Sequence, residues 1–273
     1  MLLTALGVAY FSRNENFTKY LLILILAISF LLGFEFLNFY IAGVFSEIKN
    51  ISPYLLFTGF DNPRFYAQGV LLFMPFTAFL ATTNFIKHKA IINTAIATTI
   101  FQWMVLIALA GRGAWVAAAF AYGVAFFYFS EYRTIIKKQI VFIIYGIFLY
   151  IFLFYLVPFL FFPETGNLPS GLRSGLSARE KIWSIAWDMA LQNPWLGVGP
   201  LHFSSVRNPI AAHPHQAILQ WLAEWGVIAT ILALIIIYSG IKKGFNFIKN
   251  NQEQNLDLAV WIAFVSALVL AQV

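Results

Sequence analysis

Six stretches of this chain, near residues 20–45, 67–86, 90–110, 113–130, 139–162 and 215–241, are apolar over about the 20 residues that a helix needs to cross a bilayer. A partial run occupies 1–11, and an incomplete one begins at 258. Away from water, each backbone N–H and C=O must find its partner inside the protein, and a helix achieves this within a single segment. The expectation is an all-α, polytopic transmembrane protein. Both ends fall inside apolar runs, so the chain reads as a piece of a longer multi-span protein, with 1–273 forming a single membrane domain.

Composition agrees. Of the 273 residues, 61% are hydrophobic and 10% charged, where a soluble domain carries about a quarter charged. The net charge of +6 does not point to nucleic acid, because the bases are scattered over short loops rather than gathered on one face. The absence of cysteine rules out a disulfide framework and a thiolate-held metal.

The connections between runs alternate in character. Four are short and rich in lysine: SRNENFTK, NFIKHKA, EYRTIIKKQ and KKGFNFIKNNQEQN. The others are 46–66, the turn at 111–113 and the long stretch 163–214. Ten of the 17 bases fall in the first set, at higher density. The positive-inside rule makes that set cytoplasmic and the long loop external, which in a bacterium means periplasmic. The kind of base differs as well. Eight of the ten inner bases are lysine, whereas five of the seven outer ones are arginine: Arg64, Arg112, Arg173, Arg179 and Arg207. Topology needs only positive charge inside and does not ask for arginine outside. The guanidinium fork suits phosphate or carboxylate. Pairing with lipid headgroups or nearby acids accounts for any one arginine; the set favours anion binding.

The long loop carries an amphipathic helix. Ser177 with Glu180 forms a capping box, and Asn193-Pro194 ends the helix near Gln192. Arg179, Trp183, Ala186 and Ala190 share a stripe that Ile182, Ile185 and Met189 broaden, so this helix should lie on the bilayer surface or plug against the spans. Gly197 and Gly199 mark a turn.

His213-Pro214-His215-Gln216 opens the span at 215–241. Proline suits the first turn of a helix, which puts His215 one position inside it. A positive helix end favours neutral imidazole, as a general base requires; a histidine that merely caps the helix fits equally. Glu224 lies nine residues further on, roughly 13 Å deeper along one straight helix at 1.5 Å per residue. A carboxylate at that depth hints at function, although a hydrogen-bonded structural Glu, orienting Gln220, reads the same. Gly111-Arg112-Gly113-Ala114-Trp115 makes a tight external turn with one arginine between glycines, and Asp61-Asn62-Pro63-Arg64 adds another at the mouth of a span. A snorkelling arginine in a plain hairpin turn is the alternative for Arg112.

There is no HExxH, Walker loop, GxSxG or His/Cys cluster, and no outer Asp-x-Asp pair. The reading calls for no cofactor and no metal. A phosphorylated substrate on the outer side would be neutralised by arginine.

In order and placement, DNPRFYAQ, GRGAW, SAREKIWSIAWDMALQNPWLGVGPLHF and HPHQAILQWLAEWG resemble the O-antigen ligase superfamily of bacterial inner-membrane glycosyltransferases. That superfamily includes O-antigen ligases, O-antigen polymerases and protein O-oligosaccharyltransferases. The likeness runs from about residue 55 to 240. It implies a periplasmic loop closing over a membrane-level cavity and a glycan donor on undecaprenyl pyrophosphate. The acceptor would be a hydroxyl of lipid A-core, of a glycan or of a protein. By motif position the functional arginines fall on Arg112 and Arg179, with Arg64 a helper, and the essential histidine on His215, with His213 left as an alternative base. The family usually has Asn where this chain has Gln216, a longer amide in a supporting position beside Glu224.

Overall fold

The computed structural model describes residues 15–45, 63–83, 85–109, 112–161, 179–205, 213–214, 216–250 and 255–271. Among them there is no strand. The helices are α1 (Glu15–Phe45), α2 (Pro63–Thr82), α3 (Lys89–Ala108), α4 (Arg112–Tyr128), α5 (Arg133–Phe161), α6 (Arg179–Gln192), α7 (His202–Ser205), α8 (Ala217–Asn250) and α9 (Asn255–Leu270). Four of them, α1, α3, α5 and α8, are long and apolar enough to cross a membrane; α2, α4 and α9 contribute shorter apolar segments. The all-α polytopic fold expected from the runs is the fold observed. Two of the runs prove too short as read. α5 starts six residues before 139, inside a connection taken for a loop, and α8 continues nine residues past 241 into KKGFNFIKN. The bilayer limits apolar composition, not backbone hydrogen bonding, and lysine is a good helix former. At that end of α5, Lys138 Nζ donates to the Thr82 carbonyl at 3.3 Å and Arg133 Nε to that of Phe126 at 3.0 Å.

The chain divides into two compact units, Met1–Gly171 with Gln252–Ser266, and Leu172–Asn251 with Ala267–Val273. In the first, α3 is the central helix, packed against both α2 and α5. Its sequence explains why. Thr99 and Gln102 are both buried, and in lipid such groups turn toward partners on neighbouring helices. The Thr77 hydroxyl of α2 lies 2.6 Å from Gln102 Oε1 and 3.2 Å from Thr99 Oγ1. On the other flank Trp103 Nε1 donates to Gln139 Oε1 of α5 at 3.3 Å. The α3–α5 approach is close because Gly146 has no side chain: a Cβ there would sit 2.9 Å from Trp103 Cβ and 3.0 Å from the Met104 backbone nitrogen.

α5 carries a π-helical turn at Phe152–Leu156, and Pro158 supplies the cause. In this register each carbonyl pairs with the N–H five residues on, as the Val157 N–H does with the Phe152 carbonyl. The next carbonyl, Leu153, would need an N–H from residue 158, which proline lacks. The Tyr40 hydroxyl of α1 donates to that carbonyl, and its ring packs edge-on against Phe154 at 5.9 Å. A proline defect in one helix is thereby closed by its neighbour.

Tyr40→Phe leaves the Leu153 carbonyl buried without a donor and should cost about 1–3 kcal/mol. In a Pro158→Ala background, which restores an N–H at that position, the same substitution should cost clearly less. Thermal unfolding of the four proteins of this cycle in one detergent checks it; equal costs in both backgrounds would refute the assignment.

Candidate functional site

The second unit holds most of the residues singled out by chemistry. α6 ends at Gln192, where Asn193-Pro194 was expected to end it. Its buried face is Ile182, Ala186 and Met189, packed with Phe203 and Ala223 and flanked by Ile185, Val198 and Leu219. The helix therefore plugs against α8, one of the two placements its pattern allowed. The capping Ser177 and the loop arginines Arg173 and Arg207 lie outside the described residues.

α8 is not one straight helix. At Gly226 the backbone turns to φ 76° and ψ 179°, and the helix breaks after nine residues. A break orphans the carbonyls before it and an N–H after it, which is costly away from water. The loop following α6 takes up three of them. Val198 N–H donates to the Ala223 carbonyl at 3.0 Å, Gly199 N–H to that of Glu224 at 2.9 Å, and Val227 N–H to that of Pro194 at 2.8 Å. Two backbones so close leave no space for side chains at the crossing. A Cβ on Gly197 (φ +68°) would lie 2.4 Å from the Glu224 carbonyl, and one on Gly226 would lie 2.3 Å from that of Trp195.

Glu224 sits in this clasp. Its carboxylate is buried, 4% exposed. Oε1 accepts from the Phe203 N–H at 3.2 Å, near the start of α7, and Oε2 accepts from Gln220 Nε2 at 3.3 Å. The contact with Gln220 was one of the roles open to it. Glu224 thus bonds the segment before Gly226 to the start of α7.

Ahead of this segment, α8 begins at Ala217 rather than at the proline. The Gln216 amide oxygen accepts from the Leu219 N–H and so caps the helix, which places Pro214 before the helix instead of in its first turn. Pro214 is buried, and its carbonyl accepts from Trp183 Nε1 at 3.0 Å. His213 is exposed; His215 lies outside the described residues.

Of the three arginines expected to bind an anion, Arg64 lies in α2 and Arg112 in α4, both in the first unit, and Arg179 lies in α6 of the second. Gly111 lies outside the described residues, but its neighbour contributes a fixed point: Trp115 Nε1 donates to the Leu106 carbonyl of α3 at 3.1 Å. No group of three or more His, Cys, Asp or Glu that could hold a metal occurs among the described residues.

Sequence reasoning missed the break at Gly226 and both indole bonds. The glycine pair at 197 and 199 and the lone Gly226 after Trp225 were the available signals. Gly197→Ala and Gly226→Ala should each cost more than about 3 kcal/mol or prevent folding, since a Cβ meets backbone at positive φ. Gly199→Ala, at φ +106° but with nothing within 4 Å of a built Cβ, should cost less than either. Limited proteolysis at 194–205 ranks them.

A family model described as O-antigen ligase (Wzy_C) matches residues 97–234, which contain Arg112, Arg179, His213, His215, Gln216 and Glu224 but not Arg64. No curated protein and no solved structure matches the chain. The match takes in just over half of the 273 residues, and the chain belongs to the O-antigen ligase family.

Proposed function

We propose that this membrane protein is a glycosyltransferase that moves a glycan from undecaprenyl pyrophosphate to an acceptor hydroxyl at the periplasmic face of the bacterial inner membrane. Membership of the family supports a membrane glycosyltransferase of the O-antigen ligase or polymerase type. The donor, the acceptor and the roles below are our reading. The observation that carries it is the match of the O-antigen ligase family model over residues 97–234, which contain Arg112, Arg179, His213 and His215.

In this reading Arg112 and Arg179 grip the pyrophosphate, with Arg64 assisting. The acceptor oxygen attacks the sugar C1 while the C1–O bond to phosphate breaks. The bonding pair leaves with the pyrophosphate, where the guanidinium groups offset the growing charge. His215, with His213 as the alternative, takes the hydroxyl proton. With no outer carboxylate pair to form a covalent glycosyl-enzyme, one displacement with inversion is the simplest course, and no metal is required. Lipid A-core is the favoured acceptor; a growing glycan or a protein serine would share the donor site and the base.

A lipid transporter is the competing class, and a helix broken within an apolar span is a feature of transporters. There the freed backbone groups face the cargo. Here the Ala223 and Glu224 carbonyls and the Val227 N–H are taken by the chain's own loop, so the break supports the transferase reading.

The test offers purified protein a lipid-linked glycan together with lipid A-core, a second lipid-linked glycan and a serine-bearing protein, each with excess chelator. Transfer to one acceptor should survive the chelator and disappear in His215→Ala. No transfer to any acceptor, with donor still bound, would favour transport. Arg112→Lys should lower kcat/KM by about 10- to 100-fold despite the kept charge, because a point charge cannot reproduce the bidentate fork; full activity would refute bidentate binding at that position.

A further inference from the structure

Gln139 of α5 is 3% exposed, and only half of its amide is used. Its Oε1 accepts from the Trp103 indole of α3 at 3.3 Å. An indole N–H can only donate, so this bond fixes which end of the amide faces Trp103 and turns the NH2 group away from it. Gln139 Nε2 is buried and has no hydrogen-bond partner among the described residues, and the same holds for the Tyr122 hydroxyl of α4. Tyr122 flanks the same indole, its ring 6.2 Å from that of Trp103. Both side chains line one cavity of about 20 Å³ inside the first unit, whose other walls include Pro75 and Ala78 of α2, Ile136 of α5, and Ala259 and Ile262 of α9.

We propose that this cavity is a binding site for a single water molecule, held between Gln139 Nε2 and the Tyr122 hydroxyl. Size and chemistry both select water. A water needs about 10–15 Å³ of such space and at least two polar partners, whereas a purely apolar cavity of this kind stays dry. The volume admits no sugar or lipid headgroup. The amide NH2 has no lone pair to offer a metal ion, so the ligand must be able to accept from it. Water accepts there and either donates to the phenol oxygen or accepts its proton. Two polar groups left orphaned among apolar walls cost more than ordering one water does. The bound water completes a chain of indole, amide, water and phenol that runs from α3 through α5 to α4. That link matters for α4, whose buried face is mostly alanine, at 114, 117, 118, 121 and 125. Alanine lets helices approach closely but gives them no directional bond. The site is independent of the transferase reading.

The test has two arms. In the first, the full chain carries ¹⁵N at its glutamine side chains and is studied by NMR in deuterated detergent, with the Gln139 signal assigned by its loss in Gln139→Met. Cross-relaxation from the water frequency to the Gln139 side-chain amide is expected, and it should vanish in Ala259→Val, which fills the cavity with methyl groups. Contact with lipid or detergent protons instead, or with neither, overturns the proposal. The second arm measures reversible unfolding in mixed detergent and turns on a sign. With water bound, Tyr122→Phe removes one of its partners and should lower the folding equilibrium constant about five- to tenfold, the equivalent of one net hydrogen bond. In a dry cavity the same substitution removes an orphaned hydroxyl, so unchanged or raised stability overturns the proposal. Should Gln139→Met fail to fold, the sign of the Tyr122→Phe effect decides alone.

Discussion

A backbone polar group away from water must have a partner, and much of this structure follows from how the chain meets that demand where its helices fail. α8 breaks at Gly226, and three of the groups this leaves bare are bonded by the loop after α6. Because the bonds run backbone to backbone, they fix the loop against the helix regardless of most side chains. They also require glycine at 197 and 226, where the main chains all but touch. Glu224 extends the same arrangement to α7 through the Phe203 N–H. The stretch from Pro194 to Gly199 is thus held by main-chain bonds rather than left as a free loop.

The same demand is met differently in the first unit. Pro158 removes one N–H from α5, the helix slips into a π turn, and the orphaned Leu153 carbonyl is met by the Tyr40 hydroxyl. Around α3, threonine and glutamine side chains pair across helices where apolar groups would have no preference over lipid. In both units the neighbouring element completes what one helix cannot satisfy alone, so the packing of these helices is specific.

The helical fold was legible because it rests on runs of apolar residues, a property of the chain taken a segment at a time. The end of α6 was legible for a similar reason: Asn193-Pro194 stops a helix through its own covalent chemistry. Residue types carried the arginines and the histidine pair into view as well. What the sequence could not give was any bond between distant segments. The straight span expected through Glu224 is interrupted because a glycine tolerates the turn and a loop some thirty residues earlier supplies the hydrogen bonds. Proline in HPHQ marks the approach to α8, but the helix starts only at Ala217, where the Gln216 amide caps it. By itself the sequence determined that this is a helical membrane protein with arginine and histidine gathered in a few motifs. Only the tertiary structure decided where α8 breaks and what Glu224 holds, because those outcomes depend on carbonyls and N–H groups that every residue carries and no sequence pattern distinguishes.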